Sequence, residues 1–125
     1  MQLVPDLDGR TAVVTGSAQR VGRELLLTLA AAGADVAVHY NTSTEAAEET
    51  AADAREYGVD ATTVSADITD PVAVESMFES IEATLGGVDI LVNNVGNFDA
   101  RHWEDIEWEA WRDTVESTFY GTVLC

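Results

Sequence analysis

The feature that most limits the fold is a repeated alternation of short β-branched runs with longer helical stretches. Thr11-Ala-Val-Val-Thr15 stops at Gly16, as a strand covered on both faces does. Val21, Leu25 and Leu29 then recur at every fourth residue before Gly33, which reads as a helix with its stop. Asp35-Val-Ala-Val-His-Tyr40 is a second strand. The alanine-rich stretch from Thr42 to Tyr57 is a second helix, with Thr42 and Glu45 spaced as a capping box and Gly58 at its end. Ala61-Thr-Thr-Val-Ser65 is a third strand, and Asp70-Pro71 opens a helix with the N-cap acid and first-turn proline that such ends favour. Val74, Phe78, Ile81 and Leu85 form its apolar face, and Gly86-Gly87 stops it. Val88 to Asn93 is a fourth strand. A polar loop with Phe98 and Trp103 leads to a last helix, expected from about Glu107 onward with Trp111, Val115 and Thr118 on one side. Connections this short between alternating elements predict an α/β chain: a doubly wound parallel sheet with helices on both faces. Right-handed crossovers predict the strand order 3-2-1-4. With no linker, repeat or low-complexity tract, residues 1–125 are expected to be a single domain.

Charge narrows the partners. The chain carries 23 acidic and 6 basic residues for a net charge of -17, every basic residue is arginine, and lysine is absent. A hydrophobic share of 46% is enough for a core, so the acidity does not mark disorder. Repulsion over a Debye length argues against nucleic acid and against an anionic membrane. Acidity without lysine also resembles halophilic proteins that work in molar salt. One cysteine, Cys125, can form neither an internal disulfide nor a thiolate metal site. Met1-Gln-Leu-Val-Pro-Asp6 has no basic segment and no apolar run, so no signal peptide is expected. No apolar stretch is long enough to span a bilayer. A cytoplasmic setting is the expectation. His39 and His102 stand alone in the sequence, so no metal site is expected.

The first strand runs into Thr15-Gly-Ser-Ala-Gln-Arg-Val-Gly22 and then into a helix. A turn of this kind presents backbone N–H groups and a helix N-terminus to an anion. Gly16 permits the tight turn, Ser17 offers a hydroxyl to a phosphate, Val21 lies in the loop, and Gly22 lets the helix approach the strand. Thr15-Gly16 with Gly22 resembles the glycine loop of the short-chain dehydrogenase/reductase family. Two more motifs follow in register. Asp67-Ile68, after the third strand, is similar to the family's adenine-facing aspartate and its neighbour. Asn93-Asn-Val95-Gly96, closing the fourth strand, is similar to its Asn-Asn-Ala-Gly turn beside the cofactor. The resemblance covers nearly the whole chain but only the first half of the family's usual length. It implies a Rossmann fold that here stops after the fourth strand and following helix, binding a dinucleotide.

The loop also bears on which dinucleotide. Where the family has a glycine, this chain has Arg20, which resembles a pteridine-reductase-like variant of the loop. A guanidinium there can pair with an extra phosphate. The second strand ends in Tyr40-Asn41-Thr42-Ser43, which supplies amide and hydroxyl donors and no carboxylate. A carboxylate there would grip the ribose 2′-OH of NAD and repel a 2′-phosphate. NADP(H) is therefore favoured over NAD(H). The same missing carboxylate argues against a methyltransferase-type Rossmann domain.

The resemblance also implies hydride transfer aided by a serine and a Tyr-x-x-x-Lys pair. The chain's tyrosines, Tyr40, Tyr57 and Tyr120, are followed four residues on by Thr44, Ala61 and Leu124. No catalytic residue is therefore expected within these 125 residues, although Thr118 aligns with the helix asparagine that in the family holds a relay water. Two functions from different classes stay open: the cofactor-binding portion of an NADP(H)-dependent oxidoreductase, and a catalytically silent dinucleotide-binding module. The apolar last helix and a fourth strand left at the sheet edge predict a homo-oligomer.

Overall fold

A computed structural model describes residues 5–96 and 101–125; Phe98 of the expected loop lies outside them. Strands β1 (Thr11–Val14), β2 (Asp35–Tyr40), β3 (Ala61–Ser65) and β4 (Ile90–Val92) form one parallel sheet in the order β3-β2-β1-β4. This is the doubly wound order that the alternating pattern predicts. Helices α1 (Arg20–Ala31), α2 (Thr44–Arg55) and α3 (Pro71–Leu85) make the crossovers.

The two sheet faces follow the period of a strand, which sends successive side chains to opposite sides. Ala12, Val14, Val36 and Val38 pack with Leu26 and Ala30 of α1 and with Ala47, Ala51 and Ala54 of α2. Val13, Ala37 and Val64 pack on the other face with Met77 and Ile81 of α3. β1 lies at the centre, and all four of its residues are buried. At its start, Thr11 and Asp89 exchange bonds: the Thr11 amide donates to the Asp89 carboxylate and the Asp89 amide to the Thr11 carbonyl, both at 2.9 Å. That exchange sets β4 beside β1 before the ladder begins.

α1 turns a different face inward from the one its leucines and valine mark. Gly22, Leu26 and Ala30 are the buried positions, whereas Val21 is 65% and Leu25 39% exposed. The reason is a close approach: only glycine fits where α1 crosses the end of β1, and Gly22 sets the rotation of the helix. Burying Leu26 in full then contributes about 2 kcal/mol.

α2 begins later than the capping-box spacing suggests. Ser43 is the N-cap, makes no side-chain cap bond, and the helix runs from Thr44 to Arg55. In place of a cap it is held by a cross-link to the first crossover. The buried Thr50 hydroxyl donates to the Ala18 carbonyl (2.8 Å) and accepts from Arg23 Nη1 (3.0 Å), while Arg23 Nη2 reaches Asp53 at 2.6 Å. α3 starts as its sequence predicts, with the Asp70 carboxylate accepting from the Val72 amide at 3.0 Å ahead of Pro71.

The last helix, expected from about Glu107, runs without a break from Trp108 to Leu124 but is not α-helical throughout. A single 3₁₀ turn, Trp103–Asp105, precedes α4 (Trp108–Val115), a wide π turn (Glu116–Tyr120) and α5 (Gly121–Leu124). A π turn adds a residue and re-phases the helix after it. The residue delivered inward here is Gly121, which is buried, and a Cβ on it would come within 2.7 Å of Ile68 Cγ1.

The cross-link to Thr50 is testable. Thr50→Val keeps the shape but leaves the Ala18 carbonyl without its donor and Arg23 with one partner fewer. Chemical denaturation should show a loss of about 1–3 kcal/mol.

Candidate functional site

The carboxyl ends of the four strands are tied together around the peptide of Gly16. Gly16 adopts φ +64°, and its carbonyl accepts from Asn94 Nδ2 at 3.2 Å. The Thr15 hydroxyl oxygen accepts from the amides of Asn94 (2.9 Å) and Val95 (3.3 Å). On the other side, the Gly16 amide donates to His39 Nδ1 at 2.9 Å, the Ser17 amide donates to the His39 carbonyl at 3.0 Å, and the His39 amide donates to Ser17 Oγ at 3.1 Å. Because Nδ1 accepts, the ring proton sits on Nε2, which donates to the Ala66 carbonyl at 2.8 Å. β1, β2, β3 and β4 thus meet at one edge through backbone groups and a few side chains.

A cleft of about 420 Å³ opens at this edge, lined by Gly16, Gln19, Arg20, Val21, Gly22, Asn94, Val95 and Gly96. It has the volume of a small-molecule site. Its floor exists because Gly22 has no side chain: a Cβ there would fall against the Gly16 carbonyl oxygen and lie 2.6 Å from Asn94 Nδ2. The first-turn amides of α1 face outward without intrahelical partners, as at any helix start. Its N-cap Gln19 makes no side-chain cap bond. Donors of this kind at a positive dipole end suit a phosphate.

Arg20 stands at the mouth. It is the one residue other than glycine with positive φ, +58°, among the described residues, and its guanidinium makes no ion pair or hydrogen bond there. Arg23, one turn on, is committed elsewhere: its bond to Asp53 holds its guanidinium proton more firmly than usual.

The other sequence-marked residues take different places. Ser17 does not offer its hydroxyl to the cleft; it is fully buried, and its oxygen accepts the His39 amide. Asn41, Thr42 and Ser43 follow β2 on the same edge but do not line the cleft. The Asn41 carbonyl accepts from Ser65 Oγ at 3.3 Å. Asp67 is exposed after β3, and bonds from the Thr69 hydroxyl (2.7 Å) and amide (3.0 Å) hold its carboxyl below the usual carboxylate range. Ile68 is buried under Gly121. Asn93 is exposed at the strand end, whereas its neighbour Asn94 turns inward and grips Gly16. Thr118 is exposed in the π turn and lies outside the cleft; its carbonyl accepts from Thr122 Oγ1 at 2.8 Å.

Sequence reasoning passes over Gln19 as a lining residue, places Asn94 at the crevice only as part of its motif without the bond it makes to Gly16, and reads His39 only as an isolated histidine. The doubled asparagine is a usable signal, since one of two adjacent residues leaving a strand must point back. Nothing in the sequence marks the tautomer of His39. Among the described residues no group of three His, Cys, Asp or Glu side chains could hold a metal ion, and no helix is long and apolar enough to cross a membrane.

A strand-order reversal, a glycine turn into a helix and an asparagine turn across from it define a dinucleotide-type crevice in a doubly wound sheet. The family comparison agrees. The short chain dehydrogenase family model matches residues 10–125, and the chain belongs to that family. A short-chain type dehydrogenase/reductase of Picea abies is 36% identical over 95% of this chain and 47% of its own length. A 3-oxoacyl-[acyl-carrier-protein] reductase of Staphylococcus aureus is 31% identical over 93% of this chain and 47% of its own. Among solved structures, a short chain dehydrogenase from Burkholderia cenocepacia in complex with NADP superposes with a TM-score of 0.89 at 35% identity, covering 95% of this chain and 49% of that one. The chain spans about half the length of these relatives.

Gly22→Ala should close the floor of the cleft against a backbone oxygen that cannot move aside. A loss of about 1–3 kcal/mol in a thermal melt is expected.

Proposed function

We propose that this chain is the dinucleotide-binding portion of an NADP(H)-dependent oxidoreductase, folded as one domain over residues 1–125. The observation that carries the reading is Arg20: an unpaired guanidinium at the mouth of the cleft, beside a second strand that ends without a carboxylate. A 2′-phosphate there would meet a charge-assisted bidentate donor and no repelling acid. The amide and hydroxyl groups of Asn41, Thr42 and Ser43 extend the same edge toward it. Asp67 and Ile68 would border the adenine, and Asn93, Val95 and Gly96 the nicotinamide side. The Burkholderia relative binds NADP, which agrees with the reading.

When bound, the cofactor supplies a hydride to, or takes one from, a carbonyl–alcohol pair. This chain's own part is binding and orientation. The first-turn amides of α1 hold the pyrophosphate, Arg20 holds the 2′-phosphate, and the Asn94–Gly16 bond keeps the walls of the cleft apart. Ser17 acts from behind, fixing the loop through His39. These 125 residues contain no lysine and so cannot form the family's tyrosine–lysine pair among themselves. NADPH binding without turnover is therefore what this chain should show, and a catalytically silent dinucleotide module is its second reading.

Fluorescence titration decides the cofactor. Arg20→Gly should weaken NADPH by about tenfold or more, since a hydrogen bond to a charged group is worth about 1.5–3 kcal/mol, and leave NADH within about twofold. Glycine is at home at positive φ, so stability should hold within about 1 kcal/mol. Equal losses for both cofactors would overturn the NADP assignment.

We also propose self-association through the last helical segment. Trp108 is 76%, Phe119 62% and Val123 67% exposed there, and a groove of about 580 Å³ runs between Trp108, Trp111, Val115 and Tyr120. Exposed apolar surface of this kind marks an interface. Light scattering should show a dimer or larger assembly for the native chain and a monomer for Trp111→Glu.

A further inference from the structure

The His39 ring has no direct contact with cofactor in the binding scheme proposed for the cleft, yet both its nitrogens are engaged at the sheet edge. It is buried, it accepts from the Gly16 amide through Nδ1, and it donates to the Ala66 carbonyl through Nε2. Each partner borders a proposed cofactor segment. Gly16 opens the phosphate loop, and its carbonyl is the acceptor for Asn94 across the cleft. Ala66 precedes Asp67 and Ile68, and its amide donates to the Tyr40 carbonyl at 3.1 Å. The ring therefore spans from the phosphate loop to the adenine side, and Gly16, through the carbonyl of its next peptide, extends that link to the β4 turn.

We propose that His39 is a positioning residue for the dinucleotide: in its neutral Nε2–H form it sets the Gly16 and Ala66 peptides together, and protonation releases the phosphate loop and weakens cofactor binding. This rests on the dinucleotide reading of the cleft. The neutral ring offers one acceptor and one donor, matching the one amide and one carbonyl it meets. The imidazolium offers two donors. Protonation at Nδ1 would set an N–H against the Gly16 N–H across the present 2.9 Å, so the bond must break.

Gly16 has little room to adjust. It sits at φ +64°, and a Cβ on it would lie 3.1 Å from Val95 Cγ2. A turn of its peptide therefore disturbs Asn94 and Val95 as well as the helix start.

The ionisable groups around the ring do not favour its charge. The turn after β1 carries one ionisable side chain, Arg20, a cation. After β3 stand Asp67, already engaged by Thr69, and the α3 cap Asp70. The α3 acids Glu75, Glu79 and Glu82 are exposed, as are Glu45, Glu48 and Glu49 of α2. On its own strand stand Asp35 and Tyr40. Burial pushes the ring below the usual histidine range, against a smaller opposing effect of the Ala66 carbonyl, with no neighbouring charge among the causes. The sign is then fixed. The unfolded chain takes up the proton at the ordinary histidine value, near pH 6.5, before the folded one does. The stability that the staple contributes is therefore fully present above that value and falls below it, while the hydrogen bond itself opens in the folded chain only as pH falls through the lower folded-state value.

Two readouts test this. In the ligand-free chain, the Gly16 amide resonance should shift with the same midpoint as the His39 ring nitrogens, and Nε2 should carry the proton above it. Calorimetric titration with NADP⁺ should then show affinity falling more steeply with falling pH for the native chain than for His39→Asn, the extra loss approaching about tenfold per pH unit below the ring's own midpoint in the folded chain. The substituted amide oxygen can accept the Gly16 amide but cannot be protonated. The 2′-phosphate also titrates in this range, equally for both proteins, so the difference isolates the ring. If His39→Asn fails to fold, His39→Gln, which keeps a donor toward Ala66, should bind more weakly than the native chain at high pH with a flattened profile. A Gly16 amide that ignores the ring's titration, or equal pH slopes for native and variant chains, would overturn the proposal. No NADP⁺ binding by the native chain at high pH would instead overturn the dinucleotide reading, and the amide titration would still decide whether the staple exists.

Discussion

Gly16 is the joint on which the sheet edge depends. Its amide is held by His39 from β2, its carbonyl by Asn94 after β4, and that carbonyl is also what Gly22 of α1 lies against. Three elements separated along the chain therefore converge on two adjacent peptide planes hinged at the Gly16 Cα, so a change in either backbone angle of Gly16 disturbs contacts on both sides. The left-handed conformation at this position is open to glycine at little cost and to other residues only with strain. The cleft is built on this joint, which sets its floor, the direction of the α1 amides and the spacing between its two walls.

Fold and site are legible in the sequence to different depths. Strand order comes from alternation alone, because β-branched runs between helical stretches leave few topologies once crossovers are right-handed. Helix starts and rotations are less legible. The Asp70-Pro71 cap acts locally, and the helix begins where that pair places it. The Thr42–Glu45 pair looks equally local, yet α2 is anchored instead by Thr50 and Arg23, through contacts about 30 residues apart in sequence. In α1 the leucine spacing points to one face and Gly22 to the next, and the glycine prevails because a missing Cβ permits an approach that no leucine can. In the site, Gly16, Arg20, Gly22 and Gly96 are visible as loop residues. The inward turn of Asn94, the burial of Ser17 and the tautomer of His39 depend on tertiary hydrogen bonds that leave no periodic trace. The π turn before Gly121 is of the same kind, since only four helical residues follow it, too few to show a shifted apolar phase.

Electrostatics reconcile a strongly acidic chain with an anionic ligand. A net charge of -17 repels a phosphate at long range, but surface charges are screened within about a Debye length, roughly 8 Å in physiological salt. Inside the cleft the relevant groups are backbone dipoles, which do not depend on net charge, and one cation. Arg23 is neutralised by Asp53, so the second arginine of the loop reinforces the scaffold rather than the ligand field. The division gives each of two neighbouring arginines a separate task.

The central position of β1 has a consequence for how the chain is made. β1 pairs with β2, whose partner residues lie 24 positions on, and with β4, whose residues lie 78 positions on. During synthesis the ribosome therefore releases Ala12, Val13 and Val14 long before their second neighbour exists. Until residue 92 has left the exit tunnel, one edge of that strand offers unpaired amides and carbonyls to any other chain nearby. A parallel sheet with its first strand in the middle cannot be completed as it emerges. The interval between those two pairings is the period in which a nascent chain of this kind depends most on being shielded.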